Sequence, residues 1–127
     1  MRDSASILAK TTAAEVLFHW EEFDGDDCFG KFHIEVVIGS VTERFEFGHS
    51  IVWVLRKSAR VFRGKADNVE STFKFPDTRT CNLKRIEDGF LLEICLEGTN
   101  RCEEYRLIKP TLFFDDEFLY QYNPDLV

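Results

Sequence analysis

Apolar and polar residues alternate along most of this chain, and a period of two restricts it to folds rich in sheet. Ala14, Val16, Phe18 and Trp20 alternate with Glu15, Leu17, His19 and Glu21, and Phe32, Ile34, Val36 and Ile38 with Lys31, His33, Glu35 and Val37. Successive strand side chains point to opposite faces, so each run buries one row and wets the other. Strands over 14–22 and about 31–38 follow. Residues 1–13 offer only Ile7 and Leu8 for burial and read as a frayed end or an added edge segment.

Turn chemistry sets the pairing. Gly39-Ser40 is a two-residue turn of the Gly-X kind, which places Ile38 opposite Val41, Val36 opposite Glu43, Ile34 opposite Phe45 and Phe32 opposite Phe47. Glu43 then lies on the apolar face, either near solvent on an edge strand or beside a buried cation, for which Arg85 is available. Further on, Val69, Ser71, Phe73 and Phe75 alternate with polar residues until Pro76-Asp77 turns the chain. Asp88-Gly89 marks a type I′ hairpin that pairs Ile86 with Leu91, Lys84 with Glu93, Leu83 with Ile94 and Cys81 with Leu96. Gly98-Thr99 pairs Leu92 with Tyr105 and Phe90 with Leu107. Cys81, Leu83, Phe90, Leu92, Ile94, Leu96, Tyr105 and Leu107 share one face; Lys84, Glu93, Cys95, Cys102 and Glu104 share the other. Pro110 ends this meander, because proline cannot donate to a central ladder. The tail 112–122 reads as a short helix or a last edge strand.

One segment has a helical period. Ile51, Leu55, Ala59 and Phe62 recur three and four apart between Ser50, an N-cap, and Gly64, a C-terminal stop. Ile51, Val52 and Val54 favour strand, which leaves the first turn open. Arg56, Lys57, Arg60, Arg63 and Lys65 fall on the other face and towards the C-terminus, where cations complement the helix dipole. The expected class is α+β: an antiparallel, curved sheet of about six strands, with one main helix at about 50–63 packed on one face. The 127 residues suit a single domain, and 13 phenylalanines supply its core.

The formal charge of −7 and pI near 5.0 make the molecule repel nucleic acid and anionic membrane and suit a basic partner. The N-terminus lacks the pattern of a signal peptide, and no apolar run reaches membrane-spanning length. A soluble, cytoplasmic protein is expected, with Cys28, Cys81, Cys95 and Cys102 as free thiols. The hairpin register puts Cys95 opposite Cys102, so a cross-strand disulfide is the alternative.

No catalytic pattern emerges. His19, His33 and His49 are dispersed, and the first two point away from the core. Asp24-Gly25-Asp26-Asp27 resembles a calcium loop only at its opening, since Phe29 stands where that loop needs glycine. No glycine-rich phosphate loop, nucleophile elbow or zinc-ligand pair is present. No metal, cofactor or enzymatic activity is expected. Acids and aromatics do cluster: Glu21, Glu22, Phe23, Asp24, Asp26 and Asp27; Glu93, Glu103 and Glu104 on the meander; and Asp115, Asp116 and Glu117. Carboxylates beside aromatics suit capture of a basic protein; a solvated face that maintains solubility is the plain alternative.

A small, acidic domain of strands, one helix and an antiparallel meander, without a catalytic motif, resembles bacterial immunity proteins of polymorphic toxin and contact-dependent growth inhibition systems. The resemblance covers size, charge and architecture over residues 14–122. It implies a non-catalytic inhibitor that binds and neutralises a cognate, basic toxin domain. The competing expectation is a small apolar-ligand domain, or a cryptic enzyme, with a pocket between sheet and helix lined by Phe32, Phe45, Phe73 and Phe90. A third is an assembly subunit using the Arg56–Lys65 surface.

Overall fold

The computed structural model describes residues 4–23 and 26–114, without the side chains of 23, 26–29, 48–51 and 109. Eight strands and one helix are described: β1 (Ser4–Lys10), β2 (Glu15–Phe23), β3 (Asp26–Ile38), β4 (Val41–Ile51), α1 (Trp53–Phe62), β5 (Asn68–Phe73), β6 (Arg79–Ile86), β7 (Gly89–Leu96) and β8 (Cys102–Phe113). All pair antiparallel in one sheet of order β4-β3-β2-β1-β8-β7-β6-β5. The α+β class and the curvature agree with the sequence; the strand count is eight rather than about six.

The additional pairing comes from residues expected to fray or to add an edge segment. Ser4–Lys10 lies between β2 and β8 in the middle of the sheet, with Ala5, Ile7 and Ala9 buried. Two of those three are alanines, so the strand's inward row carries little hydrophobicity for a periodicity argument to detect. Pro110 does not end β8. Leu8 is opposite Thr111 and Lys10 opposite Ile108, so two residues of β8 oppose Ala9 alone. That bulge takes the proline out of the ladder and lets the strand continue.

The β3–β4 hairpin follows the predicted register from Ile38–Val41 to Ile34–Phe45, then shifts, with His33 opposite Glu46 and Phe32 opposite Gly48. Phe47 is the extra residue, and its ring meets Phe73 edge-on at 5.5 Å. The β6–β7 turn uses Glu87-Asp88, which places Gly89 opposite Ile86 and Leu92 opposite Leu83. The offset from the expected register is two residues, so every side chain keeps its predicted face. Gly89 adopts φ 150°, and a Cβ there would meet the Leu107 carbonyl at 2.7 Å, which is why a glycine opens this strand.

The helix begins three residues later than Ser50, because the β-branched start extends β4 to Ile51 and leaves Val52 as N-cap. Its end is as expected. Gly64 has φ 75°, its N–H bonds the Val61 carbonyl at 3.0 Å, and Lys65 N–H bonds Arg60 O at 2.8 Å, a Schellman closure. Arg56 is a correction to the cationic face, since it is buried at 1 % exposure. Arg85 is another. It bonds Gly64 O at 3.0 Å and Asp67 at 3.1 Å, not Glu43, which is solvent-exposed on the edge strand.

The sheet curls until its edges touch. Glu46 N–H donates to Phe75 O at 2.9 Å and Lys74 N–H to Glu46 O at 3.2 Å, joining β4 to the segment after β5. The helix lies inside the curve, where Phe62 meets Phe18 at 5.6 Å and Phe90 at 4.8 Å. The turns β1–β2, β3–β4, β5–β6 and β7–β8 gather at one end of this curled sheet, and α1 covers the other. No described helix is long and apolar enough to cross a membrane.

Candidate functional site

Among the described residues, the acidic side chains singled out in the sequence are divided between the two faces of the sheet. β2 runs to Phe23 and β3 starts at Asp26, which pairs with it, so the expected loop is largely strand. Glu22 faces inward and is 3 % exposed, and Glu21 is half-buried on the outer face. Asp24, Asp115, Asp116 and Glu117, and the side chains of Phe23, Asp26 and Asp27, lie outside the described residues. On the outer meander face Glu93 pairs with Lys84 at 2.6 Å, and Glu104 has Arg106 two residues along the same strand. Glu70, Glu93 and Glu104 share one row of that face and Lys84 and Arg106 the next, so basic side chains interrupt the acids. Glu103 sits opposite Ile94 on the inner face, at the end where the turns gather.

This end carries a different grouping. The inward rows of β4, β6 and β8 bring Glu43, Phe45, Arg79, Glu103 and Tyr105 towards the opening. The Arg79 guanidinium carbon lies 5.7 Å from the centroid of the Phe45 ring, linking β6 to β4 across the interior. Tyr105 O–H donates to Glu103 at 2.7 Å. Burial, that hydrogen bond and the charges of Glu103 and Glu43 raise its pKa well above the usual phenol range. Around the opening, large apolar side chains are exposed: Val41 at 60 %, Phe75 at 54 % and Ile38 at 48 %.

A second grouping lies on the outer face. Register places Phe113, Ser6, His19, His33 and Glu46 in one row across five strands. Ser6 Oγ and His19 Nδ1 are 2.6 Å apart. Arg44 Nη2 lies 3.3 Å from His33 Nδ1; arginine only donates, so this nitrogen accepts, and Nε2 carries the hydrogen facing Glu35 at 3.5 Å. Burial, then Arg44 and His19, depress the His33 pKa to about 4; burial likewise lowers His19. Both rings are neutral near pH 7. The sequence places both histidines outward, but their meeting depends on the β2–β3 register, which no short turn signal reveals.

The space bounded by Phe18, Phe32, Val54, Ser58, Cys81 and Leu92 measures about 10 Å³, room for one water. Phe32, Phe45 and Phe73 are fully buried core, and Phe90 packs on Phe62. Among the described residues no group of three or more His, Cys, Asp or Glu is arranged to hold a metal ion. Cys95 and Cys102 are joined, correcting the expectation of free thiols, while Cys81 is a buried free thiol.

No known protein family, characterised protein or solved structure matches the chain.

Proposed function

We propose that this is a non-catalytic binding protein of the immunity or inhibitor kind, which engages a basic protein partner through the open end of its curled sheet. The observation that carries the reading is the exposure of Val41, Phe75 and Ile38 at 60, 54 and 48 % around that end. Apolar side chains left in water within a polar rim are what a protein interface presents before its partner arrives. The rim supplies Glu43, Asp77 and Glu103, and the molecule as a whole carries −7. Both favour a basic surface and accelerate its approach at low salt. The exposed part of β4 also leaves backbone groups of an edge strand open below the Glu46–Phe75 junction. Relative to the sequence expectation, the surface moves from the acidic loop and outer meander to the β4 edge; Glu103 belongs to both.

The test uses the immobilised protein and an extract of its source cells. Wild type is expected to retain a basic protein whose binding weakens at least tenfold between 0.05 and 0.5 M salt. Val41→Asp and Phe75→Asp are expected to abolish retention while leaving the fold intact. The immunity reading further requires that the captured protein arrests growth when produced alone and not when co-produced with this chain. Retention unaffected by either substitution would remove the β4 end as the interface.

A further inference from the structure

A groove of about 470 Å³ opens beside the β7–β8 turn, lined by Arg79, Leu96, Asn100, Arg101, Cys102 and Glu103. Two guanidinium groups and a carboxamide bring many hydrogen-bond donors to its walls, against the single carboxylate of Glu103, which already accepts from Tyr105. Arg79 is held in place. Its side chain is 20 % exposed, its guanidinium packs by Phe45, and Thr78 O accepts from Glu97 N–H at 3.1 Å, fixing the two turns that flank the groove. Yet Arg79 is short of acceptors. Its Nε is shielded from solvent without a hydrogen bond, and its nearest carboxylate, Asp77, stands off at 3.8 Å and is 64 % exposed. The shielded Nε lies beyond a groove ligand's reach, so what Arg79 offers such a ligand is its pair of Nη groups, which are shaped for two oxygens of one anion.

We infer that this groove is a binding site for a small oxyanion, a carboxylate or phosphoryl group held between Arg79 and Arg101 with Asn100 donating from the side. Asp77 is the internal competitor. Its carboxylate occupies the outer approach to Arg79 at a distance too long for a good ion pair, and it swings into solvent when a ligand arrives. Glu103 disfavours polyanions and so limits the site to a ligand presenting one anionic group at a time. The groove shares Asp77 and Glu103 with the rim of the partner surface proposed above, but its assignment does not rest on that reading.

The experiment is a titration of the whole protein with inorganic phosphate and, separately, with acetate, at constant ionic strength, following melting temperature and tryptophan fluorescence. One of the two is expected to give a saturable response, which names the oxyanion. Arg79→Gln removes the principal donor but also its packing on Phe45. Arg101→Gln, on an exposed loop with no described side-chain contact, is therefore the decisive variant, expected to weaken binding at least fivefold without lowering the melting temperature of the free protein. Asp77→Asn is expected to tighten binding about threefold by removing the competitor. A response that rises linearly with both anions, or that survives unchanged in Arg101→Gln, overturns the site.

Discussion

His19 and His33 stand directly opposite each other on β2 and β3, with ring centroids 5.1 Å apart and planes at 46°. Glu21, Glu35 and Glu46 lie near the pair, but burial and the Arg44 guanidinium outweigh their attraction for a proton. The fold therefore holds two imidazoles neutral at a pH where free histidine is partly charged.

Stability should fall with acid because of this pair. In the unfolded chain the rings take up protons near pH 6.5, whereas folded His33 resists protonation down to about pH 4. The unfolded state binds more protons in that window, so the stabilisation is complete above pH 6.5 and declines as pH drops towards 4. Urea denaturation at pH 7, 5.5 and 4.5 should show a shallower decline for His33→Asn, whose side-chain oxygen can still accept from Arg44. Parallel slopes in the two proteins would exclude His33 as the cause.

The Cys95–Cys102 bridge closes a loop with a sequence separation of 7 between β7 and β8. Chain-entropy reasoning for a loop this short gives about 2 kcal/mol of stabilisation. The double replacement Cys95→Ser, Cys102→Ser should lose that amount, and a reductant should destabilise wild type but leave the double variant unchanged. Equal sensitivity of the two to reductant would assign the effect elsewhere.

Cys81 should be chemically silent. Burial in the core pushes its thiol up to about 12, and thiolate is the reactive form. In a Cys28→Ser background, a thiol reagent at pH 8 should find no reactive cysteine in the native protein and one after denaturation. Rapid labelling of the native form would mean that the β6 core opens far more often than its packing implies.

Gly30 tests the contact between β2 and β3. A Cβ at this position would run into the Glu21 carbonyl and the indole of Trp20, neither of which is free to retreat. Gly30→Ala should cost roughly 1–3 kcal/mol, the range of overpacking at a rigid site. A melting temperature within a degree of wild type would show that the strand yields there at little cost.

The parts of this architecture written locally were legible before the structure. The Gly39-Ser40 turn and the alternation around it specify Ile38–Val41 through Ile34–Phe45, and Gly64 specifies the helix end. The Asp88-Gly89 signal misplaces its turn by one residue and so the pairing by two, without exchanging faces, because the strand period is two. Two kinds of information were not local. β1 gains its place from neighbours 13 and about 100 residues away, and Pro110 is accommodated by a bulge that only pairing with Ala9 explains. The open end is similar: Arg79, Phe45 and Tyr105 meet through curvature, and curvature leaves no mark in periodicity. The described acids divide between faces because neighbours in sequence such as Glu21 and Glu22 are sent to opposite sides of one strand.

The placement of Ser4–Lys10 against Ile108–Phe113 also orders events in time. β1 completes the centre of the sheet only with β8, about 100 residues further along, so the ladder of β1 and β2 stays open on that side until β8 docks. Closing the centre of this sheet is therefore a late step of folding, and the chain is most aggregation-prone while the β1 edge is still unpaired.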